Sequence, residues 1–267
     1  MTSLHVVGRV TEDDLMADLI RRCTGGLKQL VCGKTGRVRA FGPVGNVNFG
    51  PESVKAFFRH VPTIEVFFAK ESTFSSLEIQ RLLCSAPKLR CFHILPYLHR
   101  RYCVDHQPCL QAADVVGENW ACTGLESFCC LIRGVPRWDL NYIFTDKTSR
   151  VLMLNGSPQE SIDLQRQVYT QLGRLVHLRE LCLGVYTHGN HSWNDRHHIP
   201  EFLQQDCLSM TLESGMALLH GLKNLRTVDL VHMIVGFGDE ERQWVEEFWP
   251  EATVMSDDFG RLYFDSD

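Results

Sequence analysis

The sequence predicts an α/β solenoid, in which about six consecutive turns each place a short parallel strand beside the previous one and a helix on the outside. Three observations predict this fold. One spacing of apolar residues recurs along the chain, each helical segment passes to the next strand through a short link marked by proline or glycine, and 44% of the 267 residues are hydrophobic against 22% charged. That composition is typical of a chain able to bury a sizeable core.

The recurring spacing is clearest around Leu225, where apolar residues stand at positions −3, 0, +3 and +5. Six copies follow one another, and Thr24 is their one polar member. They are Thr24, Leu27, Leu30, Cys32; Val61, Ile64, Phe67, Ala69; Ala86, Leu89, Phe92, Ile94; Cys122, Leu125, Phe128, Cys130; Leu175, Leu178, Leu181, Leu183; and Leu222, Leu225, Val228, Leu230. This L-x-x-L-x-L pattern is typical of a leucine-rich repeat. We therefore expect a horseshoe with parallel strands on its concave face.

In the first half of the chain, capping signals start each predicted helix. Thr11 is followed by an acid three residues later, Pro51 suits a first helical turn, and Ser75 with Glu78 has the spacing of a capping box. The predicted helices end at Gly25-Gly26, Pro62 and Pro87. Strands are predicted directly after them, over 27–32, 64–69 and 89–94.

The second half continues the same alternation. Strands are predicted over 125–130, 178–183 and 225–230, and helices over 161–172, 210–219 and 239–248. Trp249 and Ala252 repeat positions −3 and 0, but Asp257 stands at +5, so the array is predicted to end there. We expect one array over 1–267, with an atypical first repeat at 11–36 and a capping region at 239–267.

Charge and apolar runs argue against several classes of protein. The formal net charge is −5 and no long basic run occurs, so we expect no nucleic-acid partner. No segment approaches the roughly 18 to 20 apolar residues of a bilayer span, and no secretory signal opens the sequence. We therefore expect no membrane association and an intracellular location, in the cytoplasm or nucleus. The eleven cysteines are odd in number and several occupy repeat positions, which favours reduced core thiols.

Several segments resemble those of one large repeat family. They are 82–90, 120–126 with 134–137, 167–175, 210–225 and 244–250. On these segments the chain resembles fungal leucine-rich-repeat proteins of the ribonuclease-inhibitor-like superfamily that are related to F-box substrate receptors. The resemblance implies a substrate receptor of a cullin ubiquitin ligase, joined to a Skp-type adaptor through an F-box. The sequence contains no recognisable F-box, because its first helical segment leads directly into a repeat strand.

Positions +2 and +4 of each copy are predicted to face away from the core, because side chains alternate along a strand. The +2 row is Gln29, Val66, Cys91, Ser127, Glu180 and Thr227, and the +4 row is Val31, Phe68, His93, Cys129, Cys182 and Asp229. We predict that partner-binding residues on this exposed concave face are Val66, Phe68, His93, Ser127, Cys129, Glu180, Cys182 and Asp229.

Val66 and Phe68 lie side by side in these rows and form a predicted apolar hot spot. The alternative is that a loop residue such as Phe74 folds over them and removes them from solvent. Both interpretations fit the sequence.

Catalytic and metal chemistry have weaker sequence support. His188, His191, Asp195, His197 and His198 cluster in one insertion, but without the cysteine spacing of a zinc site, and we predict no metal and no cofactor there. Cys129 and His93 fall on consecutive strands, yet no sequence feature indicates a lowered thiol pKa. No glycine-rich phosphate motif and no G-x-S-x-G elbow occurs.

The sequence therefore predicts non-catalytic recognition of another protein. The specific form is the ubiquitin-ligase substrate receptor that the resemblance implies. A second form is a stand-alone scaffold or inhibitor without a ligase, and the least supported is an enzyme or metal-binding protein that uses the His188–His198 loop. Because every long insertion follows a strand, we expect the insertions to emerge at one edge of the sheet, beside the binding face.

Overall fold

A computed structural model describes residues 2–6, 12–32, 49–70, 72–95, 108–138, 157–184, 206–231, 233 and 235–256. These residues form a mixed α/β fold. Its strands are β1 Ser3–Val6, β2 Gln29–Cys32, β3 Val66–Lys70, β4 Cys91–Leu95, β5 Leu110–Gln111, β6 Ser127–Cys129, β7 Ile132–Arg133, β8 Glu180–Cys182, β9 Thr227–Asp229 and β10 Thr253–Met255. Its helices are α1 Asp13–Arg21, α2 Pro51–Phe57, α3 Ser76–Ser85, α4 Ala112–Val115, α5 Pro158–Gly173 and α6 Asp239–Phe248, with 3-10 helices at Phe58–Thr63 and Met216–Leu219.

Eight of the strands form one sheet whose spatial order follows the chain, β1-β2-β3-β4-β6-β8-β9-β10. All of its pairs are parallel. The short strands β5 and β7 pair separately. The six strands predicted from the recurring spacing are all present, at the positions where apolar residues alternate.

The register of the sheet aligns the copies of the spacing with one another. Leu30, Phe67, Phe92, Phe128, Leu181 and Val228, the +3 residues, are Cα partners across six neighbouring strands. All six are buried, and they belong to one continuous hydrophobic core. Parallel pairing in this register therefore places equivalent apolar positions in a single layer.

Aromatic stacking links the middle of this layer. The rings of Phe67 and Phe92 lie 5.7 Å apart between centroids, and those of Phe92 and Phe128 lie 5.8 Å apart. Trp120 stacks on Phe128 at 5.4 Å, and its indole N–H donates to Gln80 on α3 at 2.8 Å. The buried tryptophan is thus fixed by both a ring contact and a hydrogen bond.

Both edges of the sheet carry a strand that the repeat spacing did not predict. In β1, Leu4 pairs with Leu30 and Val6 with Cys32, so these two residues occupy the +3 and +5 positions. In β10, Val254 pairs with Val228, which shifts the last strand by one residue from the register that Trp249 and Ala252 suggested.

Two helix predictions differ from the structure. Thr11 lies outside the described residues, and α1 starts after Glu12, which makes no side-chain capping bond. The predicted helix over 210–219 is reduced to the 3-10 helix Met216–Leu219, because Met210 (φ 55°) and Gly215 (φ 105°) turn the chain before it. The capping box of Ser75 and Glu78 at the start of α3 is confirmed.

Candidate binding face

The +2 and +4 rows lie on one face of the sheet, opposite the core. The strand register pairs each member of a row with the equivalent residue on the next strand, from Gln29 to Thr227 and from Val31 to Asp229. None of the twelve residues belongs to the hydrophobic core on the other face. The sequence therefore predicted both rows correctly as sets of neighbours.

The prediction that the +4 row is exposed is wrong for three of its six residues. Val31, Cys129 and Cys182 are 4%, 5% and 3% exposed, so they offer a partner almost no surface. Adjacent strands of a sheet lie only about 4.8 Å apart, and a short side chain within a row is shielded by its neighbours on both sides. Glu180 of the +2 row is exposed, and Val66, Phe68, His93, Ser127 and Asp229 are half-buried.

Phe74 does not cover Val66 and Phe68. It is 3% exposed and packs in the core, with its ring stacked on Phe49 at 5.3 Å and edge-on to Phe67 at 5.4 Å. Phe67 points to the opposite face of β3 from Phe68, because side chains alternate along the strand. The alternative in which Phe74 masks the apolar pair is therefore wrong.

Three polar residues on consecutive strands of this face form a hydrogen-bonded chain. The Nε2 atom of His93 lies 2.5 Å from the Ser127 hydroxyl, and that hydroxyl donates to Glu180 Oε2 at 2.5 Å. His93 Nε2 and Glu180 Oε2 are 3.7 Å apart. The sequence placed all three on one face but did not indicate that His93 reaches diagonally to Ser127 and not straight across to Cys129.

The direction of these hydrogen bonds determines what the chain can do chemically. An ionised carboxylate only accepts hydrogen bonds, so Ser127 donates its single hydroxyl hydrogen to Glu180 and accepts a hydrogen bond from His93 Nε2–H. The imidazole is then a donor to the hydroxyl and cannot remove its proton. Nucleophilic catalysis needs the opposite polarity, with the histidine as base. The arrangement instead holds the Glu180 carboxylate in a fixed position.

Burial lowers the pKa of His93, and the nearby Glu180 carboxylate opposes that effect only partly. His93 is therefore mostly neutral at physiological pH, and a neutral imidazole has one N–H group, which donates the hydrogen bond to Ser127. The rings of His93 and Phe68 lie 5.8 Å apart, so the apolar and polar parts of the face are in contact.

Both thiols of the +4 row are free, and the side chains of Cys129 and Cys182 are hydrogen-bonded to each other. The pKa of Cys129 is raised by this contact and by burial. Because a thiolate is the reactive form, a raised pKa disfavours a nucleophilic cysteine here.

A charged row borders the face and was missed in the sequence. Position +1 is charged in all six copies, and the sign of the charge alternates over the first five. The residues are Lys28, Glu65, Arg90, Glu126, Arg179 and Arg226. Lys28 pairs with Glu65 at 2.8 Å, Arg90 pairs with Glu126, and Arg226 pairs with Glu251 beyond the last copy. The alternation is visible in the sequence at this one position of the repeat, and it favours the observed register because unlike charges meet on adjacent strands.

The histidine-rich insertion with His188, His191, Asp195, His197 and His198 lies outside the described residues. Within the described ranges, no three His, Cys, Asp or Glu side chains are placed to hold a metal ion. The described helices include none with the length and hydropathy needed to cross a lipid bilayer.

Comparison with models of known protein families gives no match to this chain, and comparison with curated proteins gives none either.

Proposed function

We propose that this chain is a non-catalytic recognition module that binds another protein through the face formed by the +2 and +4 rows. The observation that carries the proposal is the composition of this face. A half-buried apolar pair, Val66 and Phe68, adjoins a polar chain that ends in the exposed carboxylate of Glu180. Protein-binding surfaces combine an apolar centre with positioned polar groups in this way.

The proposal includes the fold class expected from the sequence, a leucine-rich-repeat solenoid. Its support is the burial of the recurring apolar positions and the chain-ordered parallel sheet. In such arrays each turn contacts only its neighbours, which leaves a long continuous strand face available for a partner.

The adaptor-linked form, a substrate receptor of a cullin ubiquitin ligase, rests on the resemblance of the sequence segments alone. The stand-alone scaffold or inhibitor needs only the binding face. The two forms differ in whether a Skp-type adaptor accompanies the partner.

The test is affinity purification of the tagged chain from the cells that express it, followed by quantitative mass spectrometry. Two face variants, Phe68→Asp and Glu180→Arg, are compared with Leu77→Asp, which alters an exposed apolar side chain on α3. We expect at least one protein to be recovered with the native chain and with the Leu77 variant but to be lost with both face variants. Circular dichroism verifies that each variant is folded.

A partner recovered equally with all variants would contradict recognition through this face. A Skp-type adaptor and a cullin among the proteins retained would support the ligase form, whereas their absence beside a specific partner would favour the scaffold.

A further inference from the structure

The β8 end of the binding face carries an acid, Glu180, with no lysine or arginine partner among the described residues. The Glu180 side chain is 48% exposed, and it contacts the Ser127 hydroxyl at 2.5 Å and His93 Nε2 at 3.7 Å. Burial lowers the pKa of His93, so the imidazole does not neutralise this charge at physiological pH. The carboxylate therefore presents a negative charge from a prearranged position.

Prearrangement distinguishes Glu180 from an ordinary surface glutamate. The hydroxyl of Ser127 is itself held by His93, so the carboxylate group is oriented by a chain of two short hydrogen bonds across three strands. A cation of the partner therefore binds Glu180 with little further loss of side-chain conformational entropy.

The apolar end of the face lies on β3, three strands away from β8 in the order β3-β4-β6-β8. At about 4.8 Å between strands, Val66 and Glu180 in the +2 row are roughly 14 Å apart. An extended peptide advances about 3.3 Å per residue, so roughly four residues separate side chains that reach both ends. The intervening surface carries Cys91 and the His93–Ser127 pair, which are compact enough for a backbone to pass over.

Resting on the function proposed above, we infer that the face takes an extended segment of the partner with a bulky apolar residue against Val66 and Phe68 and a lysine or arginine, about four residues away, against Glu180. The segment crosses the strands, following the +2 row. Charge complementarity fixes its direction, because the apolar pair lies on β3 and the exposed carboxylate of Glu180 lies on β8.

The experiment selects a displayed library of random peptides, each of about a dozen residues, on the immobilised full-length chain. Selections on Glu180→Gln run in parallel, with Glu246→Gln, an exposed acid on α6, as the matched control. We expect the native chain and the Glu246 variant to enrich peptides that pair a bulky apolar residue with a basic one about four positions away. We expect the Glu180 variant to lose the basic preference and to bind such a synthetic peptide about fivefold more weakly.

A charge reversal sharpens the test. Glu180→Lys is expected to shift the preference from basic to acidic residues at the same spacing, since the side chain is exposed and its replacement leaves the core intact. Added salt weakens binding of the basic peptide to the native chain more than to Glu180→Gln.

The outcomes separate this inference from the proposed function. Enriched peptides without a basic preference, or with one that survives Glu180→Gln, overturn the inference while recognition through the face stands. If the native chain enriches no peptide over a Phe68→Asp/Glu180→Lys double variant, both the inference and the peptide-binding form of the proposed function are wrong.

Discussion

The carboxylate of Asp13, in the first turn of α1, accepts the backbone N–H of Gly50 at 2.9 Å and thereby caps α2, whose N-cap residue Gly50 lies 37 residues further along the chain. It also accepts the N–H of Glu52 at 2.7 Å and that of Ser53 at 3.0 Å. One side chain therefore satisfies donors at the start of another helix and ties the first two helices together.

Removal of this cap destabilises the protein. We expect Asp13→Ala to lower the free energy of unfolding by about 1–3 kcal/mol, because three backbone donors lose a charged acceptor. Asp14→Ala, at an exposed position in the same helical turn, is the matched control. Urea titration of both variants measures the difference, and equal losses would contradict a specific cap.

The cap also gives stability a pH dependence. Burial raises the pKa of Asp13, but the hydrogen bonds from Ser53, Glu52 and Gly50 outweigh it and leave the pKa below its ordinary value. The Asp13 carboxylate is therefore protonated less readily in the folded state than in the unfolded state. The stabilisation by the Asp13 cap is complete above the unfolded-state pKa of about 3.9, and it is lost as the pH falls through the lower pKa of Asp13 in the folded state. Asp13→Ala should flatten the acid side of the stability profile below about pH 4.

Gly50 is required by the close approach of Asp13. A Cβ atom at Gly50 would lie 2.7 Å from the carboxylate of Asp13, although the backbone there, at φ −90°, accepts any residue. We expect Gly50→Ala to be destabilising in the native background and nearly neutral in Asp13→Ala. A double-mutant cycle by chemical unfolding measures this coupling, and additive effects of the two changes would show that the contact is not the cause.

The buried His60 links α1 to Leu27, just before β2, as a neutral imidazole. Its Nδ1 accepts the N–H of Leu27 at 3.3 Å, and its Nε2 donates to the carbonyl oxygen of Ile20 at 3.2 Å. Burial lowers its pKa, against the opposing effect of the Ile20 carbonyl. The unfolded state takes up a proton near pH 6.5 before the folded state does, so this residue reduces stability as the pH falls below about 6.5.

Replacement of His60 tests that sign. We expect His60→Ala to be less stable at about pH 7.5, by about 1–3 kcal/mol, and to lose less stability than the native chain between about pH 7 and about pH 5.5. His220→Ala, which removes an exposed histidine, sets the baseline. A steeper loss of stability in the His60 variant would contradict a neutral buried imidazole.

Tyr169 holds the turn that replaces the predicted helix at Met210. Its hydroxyl accepts the N–H of Met210 at 3.0 Å, and the ring is fully buried. Burial raises the pKa of this phenol to about 12. We expect Tyr169→Phe to cost about 1–3 kcal/mol, because the buried N–H of Met210 loses its acceptor, with little change in packing. Thermal unfolding measures this cost, and a neutral effect would show that the turn holds without the hydroxyl.

Cys91 on β4 and Cys122, which precedes β6, are expected to react slowly while the protein is folded. Burial raises the pKa of Cys91 to about 11 and that of Cys122 to about 12. A rise of two units lowers the thiolate fraction at neutral pH about a hundredfold, so alkylation of Cys91 should be slower by about that factor than in denatured protein. Peptide-resolved mass spectrometry after timed alkylation measures each rate. Rapid modification of Cys91 at neutral pH would contradict the raised pKa of this half-buried thiol.

The strands and the two rows follow from the sequence because their causes are local. An alternation of apolar and polar residues within six positions places Phe67 and Phe92 in the core and Phe68 and His93 on the other face. Equal spacing in each copy then aligns the strands. The charged +1 row also follows from local sequence, because its residues stand at a fixed position in every copy.

Contacts between distant residues were decided by the tertiary structure. The cap of α2 by Asp13, the burial of Cys129 and Cys182, the turn at Met210 and the diagonal reach of His93 to Ser127 all depend on which side chains neighbouring segments bring together. Sequence spacing fixes the face on which a side chain lies, because the backbone period is local. The contact partner and the exposure of that side chain depend on packing across strands and helices. The order of residues along one strand does not determine that packing.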